Sequence, residues 1–155
     1  MYAWLVFVHI VGVLGFVFAH GVSAAMALRL RHERNPDRIR VMLQVSSSST
    51  GVFYISILLL LVGGIWAGFR GHWWSHGWIW VALGVFVANM FFMYALASPY
   101  YRRVRSVMRI QEAGGSAVAA EDLDAVLRSD VPTVIVWVGL LSIGFIAYLM
   151  VLKPF

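Results

Sequence analysis

Two histidines, His9 and His20, stand inside a run from Tyr2 to Leu28 that contains no Lys, Arg, Asp or Glu. Imidazole ligates iron and other borderline metals, hydrogen-bonds through either nitrogen, and carries protons near neutral pH. Polar groups in an apolar span are costly, and in membrane helices they face the bundle interior as ligands, relays or interhelical partners. On a helix, the eleven-residue spacing leaves the rings about 20° apart around the axis and about 16 Å apart along it. Both are expected on one stripe, which also carries Gly12, Phe16, Ser23 and Ala27, with Ala19 beside His20. A porphyrin requires an imidazole for its iron, small neighbours that let a flat ring approach, and an aromatic wall. Plain helix packing uses small residues too, so three readings stay open. They are ligation of heme or a metal by His9 and His20, hydrogen bonding of the rings to Asn89 or a serine, and a proton path. The proton path fits least, because no carboxylate lies inside any apolar run.

His72 and His76 lie in "FRGHWWSHGWIW". Their i, i+4 spacing would put both on one face as a metal pair if the segment were helical. Gly71 and Gly77 bracket it, and four tryptophans within eight residues mark it first as an aromatic belt at a membrane boundary. As loop residues, either histidine could instead supply the second axial ligand opposite His9. For His20 the second ligand would be Met90, Met93, a histidine from a second copy, or an open position. His32, among arginines, reads as solvated. In the third apolar run Asn89, Tyr94 and Ser98 are the remaining polar groups expected to be buried, with Asn89 the foremost interhelical hydrogen-bond candidate. The chain has no cysteine, which excludes disulfides, thiolate metal sites, iron–sulfur clusters and covalently attached heme. Its seven methionines form no copper-binding cluster. Patterns for a catalytic serine, a phosphate loop, a dinucleotide fold and a zinc protease are absent.

The elements that must position these residues are membrane helices. Of the 155 residues 61% are hydrophobic and 12% charged, too little polar surface to cover a water-soluble globule. Four runs are long enough to span a bilayer, at about 3–28, 47–69, 77–98 and 131–152. The expectation is an all-α, integral membrane four-helix bundle forming a single domain over 1–155. Span one has no basic leader and ends in a basic cluster, so it reads as a retained helix rather than a signal peptide. Arg29, Arg31, Arg34, Arg38 and Arg40 follow it, and Arg102, Arg103, Arg105, Arg109 and Arg128 separate spans three and four. Only Arg70 and Lys153 fall on the other side, so the basic loops should be cytoplasmic and both termini outside. The net charge of +5 is thus a topology signal with anionic-lipid contact added. No basic groove with interleaved aromatics suggests nucleic acid. Asn35-Pro36 should cap and open helix two. The serines of Ser46–Thr50 should be solvated or bonded back to helix carbonyls. Gly64-xxx-Gly68 permits close helix approach. Ser116–Arg128 reads as a short amphipathic helix with Leu123, Val126 and Leu127 on one face, and Asp130 and Pro132 suit the start of helix four.

With "WLVFVHIVGVLGFVFAHG" at the start, the arginine-rich first loop and "LLLLVGGIWAG" closing helix two, the chain resembles a group of small four-helix bacterial membrane proteins. The group includes a predicted integral membrane family of unknown function, the copper-resistance D proteins and the protoporphyrinogen oxidases of the HemJ type. In the last of these an early histidine of helix one is associated with heme b, and His9 matches it. The resemblance implies heme ligation. It does not extend to porphyrin oxidation, because no Lys or Arg lies inside any span.

The expected function is therefore a membrane b-type heme protein in a bacterial inner membrane, with an electron-transfer or oxidoreductase role. Its partners would be the bilayer, a quinone or a porphyrin, and a second copy or a larger membrane complex. The alternative is a non-enzymatic transporter, channel or accessory subunit whose histidines are structural or bind a metal ion. Under the heme reading, His9→Ala should abolish or strongly reduce bound heme, and His20→Ala should remove a second heme or distort the first.

Overall fold

The computed structural model describes residues 1–113 and 117–155, and among these the side chains of all but 111, 112 and 117–120. The helices are α1 (Tyr2–Leu30), α2 (Pro36–Arg70), α3 (Gly77–Glu112), α4 (Ala117–Leu127) and α5 (Val131–Leu152), with a single 3-10 turn at Trp73–Ser75. Four helical stretches, the fourth carried by α5, are long and apolar enough to cross a membrane. Ser116, the expected start of the amphipathic helix, lies outside the described residues.

Helix two starts where its capping residues put it. The Asn35 side chain accepts from the backbone N–H groups of Asp37 and Arg38, two of the donors that a helix start leaves unpaired, and Pro36 has no such donor to lose. Helix three runs well past 98, through Pro99, because its sequence turns amphipathic there. Tyr100, Val104, Val107 and Met108 recur at helical spacing and pack with Leu30, Ile39, Leu43, Leu123, Val126 and Leu127. The arginine-rich end therefore has a packed apolar core of its own, closed by α4. The stretches within the spans are the reverse: Leu14, Phe18, Phe91 and Leu141 are each more than 60% exposed, as lipid-facing side chains must be.

Helices α1 and α2 form the closest pair, α3 and α5 a second, and α1 also meets α5. Glycines set the first pairing. A Cβ on Gly12 would strike the Leu60 backbone, and one on Gly63 would come within 2.6 Å of the His9 backbone nitrogen. Two backbones approach this closely only where one of them presents no side chain at the contact. At the arginine-rich end Arg31 bridges α1 to α5 through Thr133 and Asp130, and Arg105 donates to the Ser47 hydroxyl across α3 and α2 at 2.5 Å. Both arginine clusters thus sit at one end of the bundle. At the other end Trp78, Ile79, Ala82 and Leu149 form a second core. The Lys153 ammonium lies 3.9 Å from the centre of the Trp73 ring, and the Trp73 indole donates to the Tyr2 hydroxyl. Those contacts tie the tryptophan-rich ends of α1, α3 and α5 together.

Candidate functional site

The two α1 histidines meet different partners. The His9 ring lies in a notch over Gly64 on α2, where an added Cβ would come within 2.7 Å of Nδ1. Its Nδ1 is 2.8 Å from the Leu60 carbonyl oxygen. A carbonyl only accepts, so Nδ1 carries the proton and Nε2 is left with its lone pair. Gly12, expected to leave space for a porphyrin, is consumed by the α1–α2 backbone contact. That corrects its assigned role: the small residue serves helix packing.

His20 faces the other hairpin. Its Nε2 is buried without a hydrogen-bond partner and sits directly over Gly139 of α5. The methyl end of Met93, from α3, reaches the same point, 3.3 Å from where a Gly139 Cβ would stand. Phe16 stacks on the His20 ring at 6.1 Å with 7° between planes, and it also touches Phe53 of α2 and Phe86 of α3. Phe16 thus joins Phe53 and Phe86 in an aromatic cluster beside the His20 ring. Asn89 is buried, but its Oδ1 has no partner, so the expected interhelical hydrogen bond through that atom does not form. Phe86, Asn89 and Met93 recur at helical spacing, which puts Asn89 on the face that meets α1 and α5. His20 Nε2 thus lies in an aromatic-lined interior region to which α1, α2, α3 and α5 contribute, and Asn89 Oδ1 is a second buried atom without a partner, on the Phe86–Met93 face of α3. Buried polar atoms without partners are rare enough to need a reason.

Ser23 is already engaged. Its hydroxyl pairs with Ser49 at 3.1 Å and its carbonyl accepts from the Tyr101 hydroxyl, also at 3.1 Å. Ser48 and Ser49 bond back to the carbonyls of Gln44 and Ser46, as expected of serines at a helix entry. Tyr94, expected to be buried, is 70% exposed and faces the lipid side.

The His72–His76 pair does not form on a helix. His72 has left-handed backbone (φ 57°) before the 3-10 turn, and His76 after it is extended. Gly71 and Gly77 break the helix on either side, so the i, i+4 geometry required of a metal pair is lost. Both side chains are exposed, and His76 Nδ1 is 3.3 Å from the Ser75 hydroxyl. Among the described residues no group of three or more His, Cys, Asp or Glu side chains could hold a metal ion. Gly139, Phe53 and Phe86 were not singled out by their sequence positions. The Phe86–Asn89–Met93 spacing was the available signal, whereas nothing in the sequence pairs Gly139 with His20.

The four apolar helices agree with the family to which the sequence belongs. A family model described as a predicted integral membrane protein matches residues 3–154. The chain is a member of the DUF2269 family. It is thus a multi-pass integral membrane protein, with lipid as the solvent of its outward faces. No curated protein and no solved structure matches it. Within DUF2269 the description assigns no activity, so the chemistry rests on this chain's own residues.

Proposed function

We propose that this DUF2269 protein is a membrane b-type heme protein with an electron-transfer role, its heme ligated by histidine of α1. The observation that carries this reading is the buried, unpartnered Nε2 of His20, packed against Gly139 with the methyl end of the Met93 thioether beside it. A histidine nitrogen and a methionine sulfur are a recognised axial pair for heme iron. Asn89 Oδ1 supplies a second polar atom without a partner on the same face of α3. Bound heme would supply one-electron redox chemistry, and the chain would supply ligands, a low-dielectric aromatic wall and exclusion of water. A quinone-class donor dissolved in the bilayer and an acceptor at the tryptophan-rich end are the partners this reading calls for.

A second reading has its own support. His9 donates to the Leu60 carbonyl across the α1–α2 contact, which suits either a purely structural imidazole or a ligand oriented by its second nitrogen. The test is the absorption spectrum of protein purified after heme-replete expression. A Soret band is expected in the wild type, its loss in His20→Ala, and an altered spin state with heme retained in Met93→Leu. His9→Ala with an unchanged spectrum and a lower unfolding midpoint assigns His9 a structural role. A colourless wild-type protein ends the heme reading.

A further inference from the structure

The arginine-rich end carries a recess at the turn from α1 to α2, about 730 Å³ in volume, lined by Leu28, Arg29, Arg31, His32, Arg38 and Met42, with the one carboxylate of Glu33. It begins where the apolar run of α1 stops, at Leu28. Its walls are therefore cationic above and apolar below, which is the profile of a lipid at the edge of the hydrocarbon.

The acids at this end are distributed in a way that leaves the recess positive. Asp130 takes Arg31, and the two oxygens of Asp124 take Arg34 and Arg128, each at 2.6 Å. Glu33 turns one carboxylate oxygen onto the backbone N–H groups of Arg34 and Asn35, at 3.0 and 2.9 Å, and reaches Arg38 only at 3.7 Å. Arg29 and His32 have no side-chain partner among the described residues. Of the three arginines that line the recess, Arg31 is held by Asp130 and Arg38 lies 3.7 Å from Glu33, whose carboxylate is shared with two backbone N–H groups, so three guanidinium charges meet one carboxylate in the lining. A guanidinium fork binds a phosphate diester bidentately and is charged at every physiological pH.

We propose that this recess is a binding site for the phosphodiester headgroup of an anionic phospholipid, held by Arg29 and Arg38, with its glycerol and upper acyl carbons against Leu28 and Met42. The site is independent of the heme reading. Its test is native mass spectrometry of the full-length protein released from bilayers of phosphatidylcholine containing a minor fraction of phosphatidylglycerol. Wild-type protein is expected to retain phosphatidylglycerol enriched about 25-fold over its share of the bilayer, since each of the two arginines contributes on the order of a fivefold factor. Arg29→Gln/Arg38→Gln should bring retention down to the bilayer ratio. Arg102→Gln/Arg103→Gln, which removes two exposed charges outside the recess, should leave it near wild type. On the wild type itself, high ionic strength should lower the enrichment, and millimolar inorganic phosphate should not displace the lipid. Equal retention by the recess variant, equal loss by the control variant, or enrichment indifferent to salt would each overturn the proposal. Displacement by inorganic phosphate would overturn it in favour of a free-anion site.

Discussion

An imidazole has two nitrogens, and what each one meets decides what the ring can do. His9 spends Nδ1 on the Leu60 carbonyl, so its orientation is fixed by α2 and only Nε2 remains for other chemistry. His20 has Nε2 buried and unanswered, and burial of a polar atom without a partner costs about 1–3 kcal/mol. A chain retains that cost where something compensates it, and ligation of iron is the compensation proposed above. Glu33 shows the opposite condition, a fully answered polar group outside the spans. Backbone N–H groups of Asn35 and Arg34, with Arg38 nearby, hold its carboxyl below the ordinary value of 4.5. A depressed carboxyl stabilises the turn fully above the unfolded value and loses that contribution as pH falls through the folded one. The amide proton shifts of Arg34 and Asn35 are thus expected to be constant above pH 5 and to titrate together with a midpoint below 4.5. In Glu33→Gln they should not titrate, and a midpoint above 4.5 in the wild type would show that the amides do not hold the charged form.

At the scale of elements, the α1–α2 contact is set by absent side chains. A Cβ at Gly63 would meet the His9 backbone nitrogen at 2.6 Å and the Leu5 carbonyl oxygen at 2.9 Å, both rigid atoms that cannot give way. Gly63→Ala should therefore push the helices apart and destabilise the fold by about 1–3 kcal/mol, the usual cost of overpacking. Gly84 and Gly144 have nothing within 4 Å of an added Cβ. Alanine there should be neutral or stabilising by up to about 1 kcal/mol, because it removes glycine's backbone freedom. Unfolding midpoints in one detergent decide this, and equal midpoints for Gly63→Ala and Gly84→Ala would refute the close contact. These helices were legible in the sequence because apolar length and the Asn35-Pro36 cap are local signals. The extension of α3 through Pro99 was legible only as the spacing of Val104, Val107 and Met108, hidden by the four arginines around them. The division of labour between His9 and His20 was not legible at all. A 20° difference in facing cannot say that one ring meets α2 and the other meets α5, since that depends on where the neighbouring helices cross. The break around Trp73–Ser75 was legible, because Gly71 and Gly77 bracket a four-residue histidine spacing that would otherwise look helical.

The whole molecule is asymmetric between its ends, and that asymmetry dictates how it should sit in a bilayer. Both arginine clusters lie at one end, joined by Arg31–Asp130 and Arg34–Asp124, while Trp73, Trp78 and Lys153 gather at the other. Basic segments next to short loops are retained on the cytoplasmic side during insertion, and tryptophan prefers either interface, so the arginines alone set the direction. The expected orientation has the arginine-rich end in the cytoplasm and both termini outside. Because the chain has no cysteine, single introduced cysteines report this without background. His72→Cys and Phe155→Cys, both exposed at the tryptophan-rich end, should react with a membrane-impermeant maleimide added to intact cells. Arg34→Cys and Arg103→Cys, exposed at the opposite end, should react only after the membrane is opened. The reverse pattern would mean that the protein inserts against its charge bias. Mixed labelling of all four would mean that ten arginines against one arginine and one lysine do not fix a single orientation.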